Sequence, residues 1–491
     1  METGTYRRHE PEQTVLYEVV RDHLETFLVH AQDRGSGVGL PRYVRDTFRR
    51  FLKCGILQHG FARVRCGDCG YDMLVAFSCK ERSLCPSCSA RRMSDLAAHL
   101  LDRVFPEVPV RQWVLSIPRP LRYLFARDAK LLSAGLRIFA SEVFRHLRKG
   151  SVLRGAKPGG VTAVQRFGGA LNLNIHFHSL MIDGVFVREG DGMEFLKVGP
   201  PTEHKLQRVV DRTVKRITEM MKGHGLAVGW TGEPEVEESE PPTLFDWIQG
   251  ASVREWVTMG TSMRPVPVVG RTREVGLMRE PPPLVARQSG FNVHAGVRIR
   301  GSDREGLEKL CRYALRPAFS QERLERLEDG RISYRFRHAR PDGSTHVVLT
   351  PLELMEKLAA LVPPPRAHLM VYHGVLAPNS RHRKSVVPVP PDKPPPHGHA
   401  PAAEPGKPGR RRGRKRLDWA NLLKRTLGID VLFCPRCHGR MKVIACIEEL
   451  AVIRRILGAR GLPLEGPKAS PARPPPGQQG FEFDQEGDEV A

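Results

Sequence analysis

The run Leu171-Asn-Leu-Asn-Ile-His-Phe-His178 alternates apolar and polar side chains without exception. This period of two is typical of a β-strand with one buried face. The apolar side chains would face the core, and the opposite face would present His176 and His178 side by side. Two neutral imidazoles in this arrangement supply two ligands of a catalytic divalent-metal site. A strand with two merely exposed histidines is the alternative interpretation.

Gly168 and Gly169 separate this run from a second strand-like stretch at 161–167. A pair of glycines between two such stretches predicts a two-residue β-hairpin. In that register Gln165 would lie opposite Asn172, about 13 Å along the strand from His176. We therefore expect Gln165 to lie too far away to act as a metal ligand.

The third ligand is expected from another strand. The segment 291–300 alternates in the same sense as the histidine run and carries His294 on its polar side. If the two strands are neighbours, His294 completes the metal site. His346 and His373 stay open as alternatives.

Basic residues dominate the composition, because 77 Lys and Arg stand against 54 Asp and Glu and give a formal net charge of +23. A charge of this sign and size indicates a polyanionic partner, and nucleic acid is the commonest one. An anionic membrane is the rival, but we find no apolar run that would span a bilayer, no amphipathic anchor and no signal peptide. We expect a cytoplasmic protein without a membrane partner, and the length of 491 residues predicts several domains.

Ten cysteines in a cytoplasmic chain indicate metal rather than disulfides. Cys66-x-x-Cys69 and Cys85-x-x-Cys88 are two tight pairs, and four thiolates suit tetrahedral Zn²⁺. Four thiolates leave zinc no open position, so this site is expected to be structural. Its basic flanks predict contact with DNA, and a zinc-stapled module for binding another protein is the alternative.

The other cysteines are harder to assign. Cys54 is interpreted as a buried thiol, and Cys79 is left open, with a mixed second site that includes His59 as the alternative. Near the end of the chain Cys434-x-x-Cys437 forms only half of a zinc site. His438 and Cys446 are its nearest possible partners, and the sequence does not decide whether zinc binds there.

In so basic a protein the expected substrate of the metal site is a phosphodiester, and a side chain is a candidate for the attacking nucleophile. We predict this nucleophile on a helix that begins near Ser302, where Ser302 and Glu305 indicate a capping box. Tyr313 falls at the edge of the apolar stripe of this helix. Three cations flank Tyr313 and are predicted to hold DNA phosphates: Lys309, Arg312 and Arg316. A phenol beside cations ionises more readily, which favours Tyr313 as the nucleophile. An ordinary amphipathic tyrosine at a helix boundary is the alternative.

The order of these segments predicts an α+β protein with several regions. These regions are an N-terminal helical segment (1–53), a zinc-binding domain (54–100), a catalytic domain (101–385) with an insertion at 229–290, a Pro-rich basic linker (386–416), a small CxxC domain (417–465) and a disordered tail (466–491).

Several motifs in a fixed order resemble those of the IS91-type transposases. They are the two cysteine pairs with Ser78-Cys79-Lys80 between them, Asn174-Ile-His-Phe-His178 with Asp183-Gly184, Cys311-Arg-Tyr-Ala-Leu-Arg-Pro317, and His373-Gly-Val-Leu-Ala-Pro-Asn379. The resemblance covers residues 10–385, and its specificity lies in the combination of motifs. The segment Cys437-x-Gly439-x-Met441 also resembles the C-terminal part of some members.

This resemblance implies an N-terminal zinc-binding domain and an HUH nuclease domain, in which helices pack on an antiparallel sheet. It implies that His176 and His178 bind Mg²⁺ or Mn²⁺, while Zn²⁺ is structural. It also implies that Tyr313 attacks single-stranded DNA at the ends of the element. The products would be a 5′-phosphotyrosine link and a free 3′-OH, so that the element moves by a rolling-circle-like route.

The residue four positions before Tyr313 differs from its counterpart in some members of the family. Some members carry two tyrosines four residues apart, whereas this chain has Lys309 four residues before Tyr313. The chain therefore resembles the single-tyrosine branch, in which Tyr313 is reused or two protomers of a homodimer supply one tyrosine each.

An HUH replication initiator or relaxase is one alternative function, although the zinc module argues against it. A non-catalytic zinc-dependent DNA-binding protein is the other.

Overall fold

A computed structural model describes residues 8–34, 38–151, 155–226, 243–259, 263–271, 284–388 and 432–473. The predicted linker at 386–416 lies almost entirely outside these residues. Parts of the predicted insertion at 229–290 and the predicted tail beyond residue 473 also lie outside them.

Helices and antiparallel strands are mixed along the described residues, which confirms the α+β class. The helices are α1 (Val15–Asp33), α2 (Arg42–Leu52), α3 (Pro86–Arg103), α4 (Arg119–Arg127), α5 (Ala129–Gly150), α6 (Glu203–Gly223), α7 (Leu244–Val253), α8 (Arg304–Ala314), α9 (Pro351–Leu361), α10 (Arg383–Val386) and α11 (Leu450–Gly458). The strands are β1 (Phe61–Cys66), β2 (Asp72–Ala76), β3 (Val110–Ser116), β4 (Gly159–Phe167), β5 (Leu173–Ile182), β6 (Gly184–Glu189), β7 (Gly192–Lys197), β8 (Trp256–Val257), β9 (Arg264–Pro265), β10 (Val268–Arg271), β11 (Val285–Gln288), β12 (Phe291–His294), β13 (Arg298–Ile299), β14 (Leu324–Arg326), β15 (Ile332–Arg335), β16 (Ser344–Leu349), β17 (Met370–Gly374) and β18 (Met441–Ile447).

A seven-stranded antiparallel sheet forms the centre of the protein. Its order is β11-β12-β3-β5-β4-β17, and β13 also pairs with β3. The histidine run forms most of β5, so the predicted strand is confirmed. Leu173, Ile175 and Phe177 are fully buried on one face of it, as the alternating pattern predicts.

Helices cover both faces of this sheet. On one face α5 and α6 pack against Ile175 and Phe177 in the largest apolar cluster. On the other face α3 and α8 pack against Val161 and Leu180. The second face is the one on which His176 and His178 lie, because side chains alternate along β5. The layered arrangement therefore brings α8 over the histidine pair.

The hairpin between β4 and β5 differs from the predicted two-residue turn. Residues 168–172 connect the strands, and the ladder shifts register between Gln165 and Phe167. Leu171 takes a left-handed backbone conformation with φ 56° and buries its side chain completely in a second core. The burial of Leu171 lengthens the turn, and as a result Gln165 lies opposite His176 instead of Asn172.

A second core joins the N-terminal helices to the rest of the chain. α1 and α2 pack there with α7, α9 and a four-stranded sheet of order β10-β16-β15-β14.

The cysteine-rich N-terminal module, residues 54–100, contains β1 and β2 of a separate three-stranded sheet of order β18-β1-β2. The segment predicted as a small domain at 417–465 thus contributes its strand β18 to the N-terminal module. Of the described helices, none has the length and apolar character needed to cross a membrane.

Asp183 joins three strands of the central sheet at the end of β5. Its carboxylate is 3% exposed and accepts two hydrogen bonds from Arg111 of β3, at 2.9 and 3.0 Å. Arg298 of β13 donates a third at 2.7 Å. Asp183, which the sequence analysis names only as part of a family motif, is therefore an ion-pair centre between strands.

We expect Asp183→Ala to destabilise the protein strongly, because Arg111 would stay buried without a counter-charge. Removing one partner of a buried pair costs about 3–5 kcal/mol. Chemical denaturation of the full chain measures this change. Asp191→Ala, in the exposed β6–β7 turn, is the matched control and should leave the midpoint unchanged. Equal midpoints for the two variants would contradict the role given to Asp183.

Candidate active site

The two histidines of β5 lie side by side on the face that α8 covers. Their ring centroids are 4.9 Å apart. In the flanking strands His176 faces Ser116 and Gln165, and His178 faces Val114 and Ala163. Because β5 is a central strand, both rings are held by neighbours on two sides. His178 is only 4% exposed, and His176 is partly buried.

Each imidazole uses its Nδ1 atom for a hydrogen bond. Nδ1 of His176 donates to the backbone carbonyl of Asn174 at 2.9 Å, which leaves Nε2 as the unprotonated nitrogen. Nδ1 of His178 lies 2.8 Å from the side-chain amide nitrogen of Gln112. Nε2 of His178 is buried and has no hydrogen-bond partner. Hydrogen bonds to the ring nitrogen that does not bind the metal orient metal-ligating histidines in proteins.

The electrostatic surroundings keep both imidazoles neutral. Burial is the main cause that lowers the pKa of His176 to about 4. The bond to Asn174 opposes this shift, and Arg316 and Arg122 add to it. Burial lowers the pKa of His178 to about 3, with added repulsion from His176 and Arg316. Neutral imidazole is the form that binds a metal ion.

Tyr313 lies on α8, directly over this pair. Its ring centroid is 5.5 Å from that of His178, at an interplanar angle of 83°. The guanidinium carbon of Arg316 lies 4.8 Å from the Tyr313 ring centroid and 5.5 Å from the Phe167 ring. Tyr313 is 41% exposed, so its hydroxyl is accessible to a large substrate. The structure therefore brings together three of the predicted site residues: His176, His178 and Tyr313.

Gln165 connects the histidine pair to the tyrosine. Its side-chain nitrogen donates to the backbone carbonyls of Tyr313 at 3.2 Å and Ala314 at 2.8 Å, at the C-terminal end of α8. Its side-chain oxygen is buried and has no partner. A buried acceptor beside two neutral imidazoles is suited to metal coordination. The signal in the sequence was the only amide side chain in the stretch 161–167, and the predicted hairpin register placed it too far from His176.

The prediction that His294 neighbours the histidine strand is wrong. β12 pairs with β3, so that His294 lies opposite Val114, and Val114 separates it from His178. Two strand spacings, about 10 Å, thus separate the two backbones. Among the described residues, the ligand atoms of His294 do not cluster with those of His176 and His178. Of the alternatives, His373 lies against Phe144 of α5, and His346 lies on the four-stranded sheet.

The three predicted phosphate-binding cations differ in their surroundings. Arg316 lies at the tyrosine, as described above. Lys309 pairs with Glu305 at 2.6 Å and Arg312 with Glu308 at 2.7 Å along α8. Of these three cations, the structure thus places only Arg316 against the Tyr313 ring. The helix begins after Asp303, whose side chain accepts from the Gly306 N–H at 2.8 Å, so the predicted Ser302–Glu305 capping box is wrong.

The cysteines form two clusters, and the predicted grouping of Cys66, Cys69, Cys85 and Cys88 in one site is wrong. The two clusters are Cys54, Cys79, Cys85, Cys88 and Cys66, Cys69, Cys434, Cys437. Cys66 ends β1, whereas Cys54 and Cys79 lie near the opposite end of the β1–β2 hairpin. A strand of this length spans about 17 Å, so one zinc ion cannot reach both cysteine pairs.

The first cluster fits a structural zinc ion. The Cys54 Sγ atom lies 3.6 Å from those of Cys85 and Cys88, and Cys79 Sγ lies 3.5 Å from Cys88. Tetrahedral zinc with bonds of about 2.3 Å requires sulfur separations of about 3.8 Å. The neighbouring thiols, Cys54 foremost, lower the pKa of Cys88. Cys54, interpreted from the sequence as a plain buried thiol, is thus one of four potential ligands.

Two family models match the chain, and they match it in consecutive regions. A model of IS91 transposases described as "Transposase zinc-binding domain" matches residues 19–117, and one described as "Putative transposase" matches residues 159–384. No curated protein and no solved structure matches. The first region contains the complete Cys54 cluster, and the second contains His176, His178 and Tyr313. These matches and the zinc-binding cysteines identify a DNA-processing enzyme with structural zinc, and the chain belongs to the IS91-type DNA transposases.

Proposed function

We propose that this transposase is an HUH-type enzyme that cleaves and rejoins single-stranded DNA at the ends of its element, with Tyr313 as the nucleophile. The observation that carries the proposal is the position of Tyr313, 5.5 Å from the His178 ring and beside Arg316. A phenol next to two neutral imidazoles and a cation is suited to attack on a phosphodiester.

A divalent ion, Mg²⁺ or Mn²⁺, would be held by Nε2 of His176, Nε2 of His178 and Oε1 of Gln165. When bound, it polarises the scissile phosphate and offsets the negative charge that develops there. In His178 this role requires the Gln112 amide to accept from Nδ1–H through its oxygen, because that tautomer leaves the Nε2 lone pair free. The unpartnered oxygen of Gln165 and nitrogen of His178 support this ligand set.

In the proposed step the Tyr313 hydroxyl oxygen bonds to phosphorus, and the bond from phosphorus to the 3′-oxygen breaks. The phenol proton passes to solvent, and the 3′-oxygen takes up a proton, so that the products are a 5′-phosphotyrosine and a free 3′-OH. The phosphotyrosine conserves the phosphodiester bond, and no nucleotide hydrolysis is needed. Attack by a 3′-OH on this link reverses the step and rejoins DNA.

A cleft beside the site offers a path for the strand. It has a volume of about 280 Å³ and reaches the C-terminal end of α8. Its lining includes Arg82 and Arg92 of the cysteine-rich module together with Gln165 and Arg316. Arginines in the lining suit a phosphate backbone, and the two from the zinc-binding module predict that this module contacts the DNA near the scissile bond.

Each protomer offers one tyrosine on α8. The position one turn before Tyr313 holds Lys309, whose side chain is 74% exposed and paired with Glu305. A transposition cycle needs strand cleavage at two element ends. We therefore propose that either Tyr313 is reused or a homodimer supplies two copies of the site.

Incubation of the full chain with single-stranded oligonucleotides that carry the terminal sequences of the element tests the function. We expect a protein–DNA adduct that survives denaturation and forms only when Mg²⁺ or Mn²⁺ is added. The ions should be omitted in the control rather than chelated, so that structural zinc stays in place. DNA binding without an adduct, with either ion, would instead support the non-catalytic zinc-dependent DNA-binding protein.

A further inference from the structure

We infer that a second zinc ion joins the two ends of this chain, held by Cys66 and Cys69 of the N-terminal module and by Cys434 and Cys437 of the C-terminal segment. The matched zinc-binding region, 19–117, contains only the first two of these cysteines. The other two lie beyond residue 384, where the matched transposase region ends. This inference does not rest on the proposed DNA chemistry.

The sulfur positions fit one tetrahedral ion. Cys66 Sγ lies 3.5 Å from Cys437 Sγ, and Cys69 Sγ lies 3.6 Å from Cys434 Sγ. All four sulfur atoms lie within 4.8 Å of one another. Zinc bonds of about 2.3 Å require separations of about 3.8 Å between thiolates. The four cysteines are free thiols, so their sulfur atoms are available as ligands.

The backbone around the two cysteine pairs supports the same conclusion independently of the sulfur atoms. Cys66 N–H donates to the Tyr71 carbonyl at 2.8 Å, and Cys434 N–H donates to the Gly439 carbonyl at 2.9 Å. Both bonds thus close turns over the same number of residues. The residue after the second cysteine is left-handed in each turn, with φ +72° for Gly70 and +61° for His438. A left-handed histidine is uncommon, so two matching turns indicate a shared role.

The C-terminal segment is docked in a way that holds the second pair in place. β18 pairs with β1 from Phe61↔Ile447 to Cys66↔Met441. Cys434 and Met441 are buried with Val64 and Cys66 in one apolar cluster. α11 buries Ile453 and Leu457 against Phe61 in a second cluster. Both faces of the sheet therefore anchor the segment, and the cysteines meet at its end.

A metal site built this way depends on the whole chain. Its ligand pairs are separated by 365 residues between Cys69 and Cys434. Closing so long a loop costs chain entropy, and the free energy of zinc binding offsets that cost. A chain that ends before the C-terminal pair would hold one zinc ion instead of two, and the edge of β1 would be uncovered.

The zinc content of the purified full chain tests the inference. We expect two zinc ions per chain by elemental mass spectrometry, and one in the Cys434→Ser/Cys437→Ser double variant. Cys446→Ser is the matched control, because Cys446 is an exposed thiol on β18 outside both clusters, and it should keep two. Two ions retained in the double variant, or one in the unmodified chain, would overturn the inference.

Thiol alkylation of the unmodified chain provides a second test that needs no variant to fold. Cys69, Cys437 and Cys446 are all exposed. We expect Cys446 to react at once, while Cys69 and Cys437 react only after a chelator is added, since zinc-bound thiolates are protected. Immediate alkylation of all three thiols in protein that contains two zinc ions would place the second ion elsewhere and refute this ligand set.

Discussion

Tyr313→Phe is expected to abolish the covalent adduct with single-stranded DNA and to lower strand cleavage by on the order of 10⁴-fold or more. The change removes the hydroxyl oxygen that we propose as the attacking atom and nothing else. Phenylalanine keeps the ring that contacts His178 and Arg316, and the site should therefore keep its shape. Adduct formation is measured on denaturing gels with end-labelled oligonucleotides.

The matched control for this substitution is Tyr71→Phe, which makes the same chemical change in the β1–β2 turn. Tyr71 packs against the apolar cluster of Val64 and Cys66, which contains no residue of α8. It should leave adduct formation unchanged. Fluorescence anisotropy should show equal DNA affinity for both variants and the unmodified chain. An adduct that persists in Tyr313→Phe would show that another group is the nucleophile.

The central strand β5 was predictable because its signal lies within the strand itself. Leu173, Ile175 and Phe177 alternate with polar residues, and they are the side chains that β5 buries on one face. The position of Gln165 was not predictable in the same way. It depends on the turn before β5, and that turn is set by the burial of Leu171 in a different core. No pattern within the hairpin contains this information.

The cysteines show the same limit at longer range. Two CxxC pairs close in sequence suggest one zinc site, and the spacing alone is compatible with it. The β1–β2 hairpin separates the pairs, and each then meets ligands that the spacing does not indicate. Cys54 and Cys79 join the pair at the start of α3, while Cys66 and Cys69 meet a pair from the other end of the chain. Strand pairing across more than 360 residues is a tertiary property.

His178→Ala should lower both the affinity for Mn²⁺ and the rate of DNA cleavage by more than ~10–100-fold. That range is typical for the loss of a residue that only hydrogen-bonds to a metal ligand. The substitution removes a proposed ligand from the centre of the sheet, and His178 does not line the proposed DNA cleft. DNA binding should therefore stay close to that of the unmodified chain. Isothermal titration with Mn²⁺ measures the affinity separately from cleavage.

Two further variants decide which residue is the third ligand. Gln165→Ala should weaken Mn²⁺ binding, because Gln165 lies opposite His176 and its oxygen has no other partner. His294→Ala is the control and should leave Mn²⁺ affinity unchanged, because β3 separates His294 from the pair. If His294→Ala instead weakens binding while Gln165→Ala does not, the third-ligand assignment is reversed. Gln165 also hydrogen-bonds the end of α8 to β4. Gln165→Ala should therefore slow cleavage even when Mn²⁺ is saturating. Cleavage at saturating Mn²⁺ thus measures the positioning role of Gln165 separately from its role as a ligand.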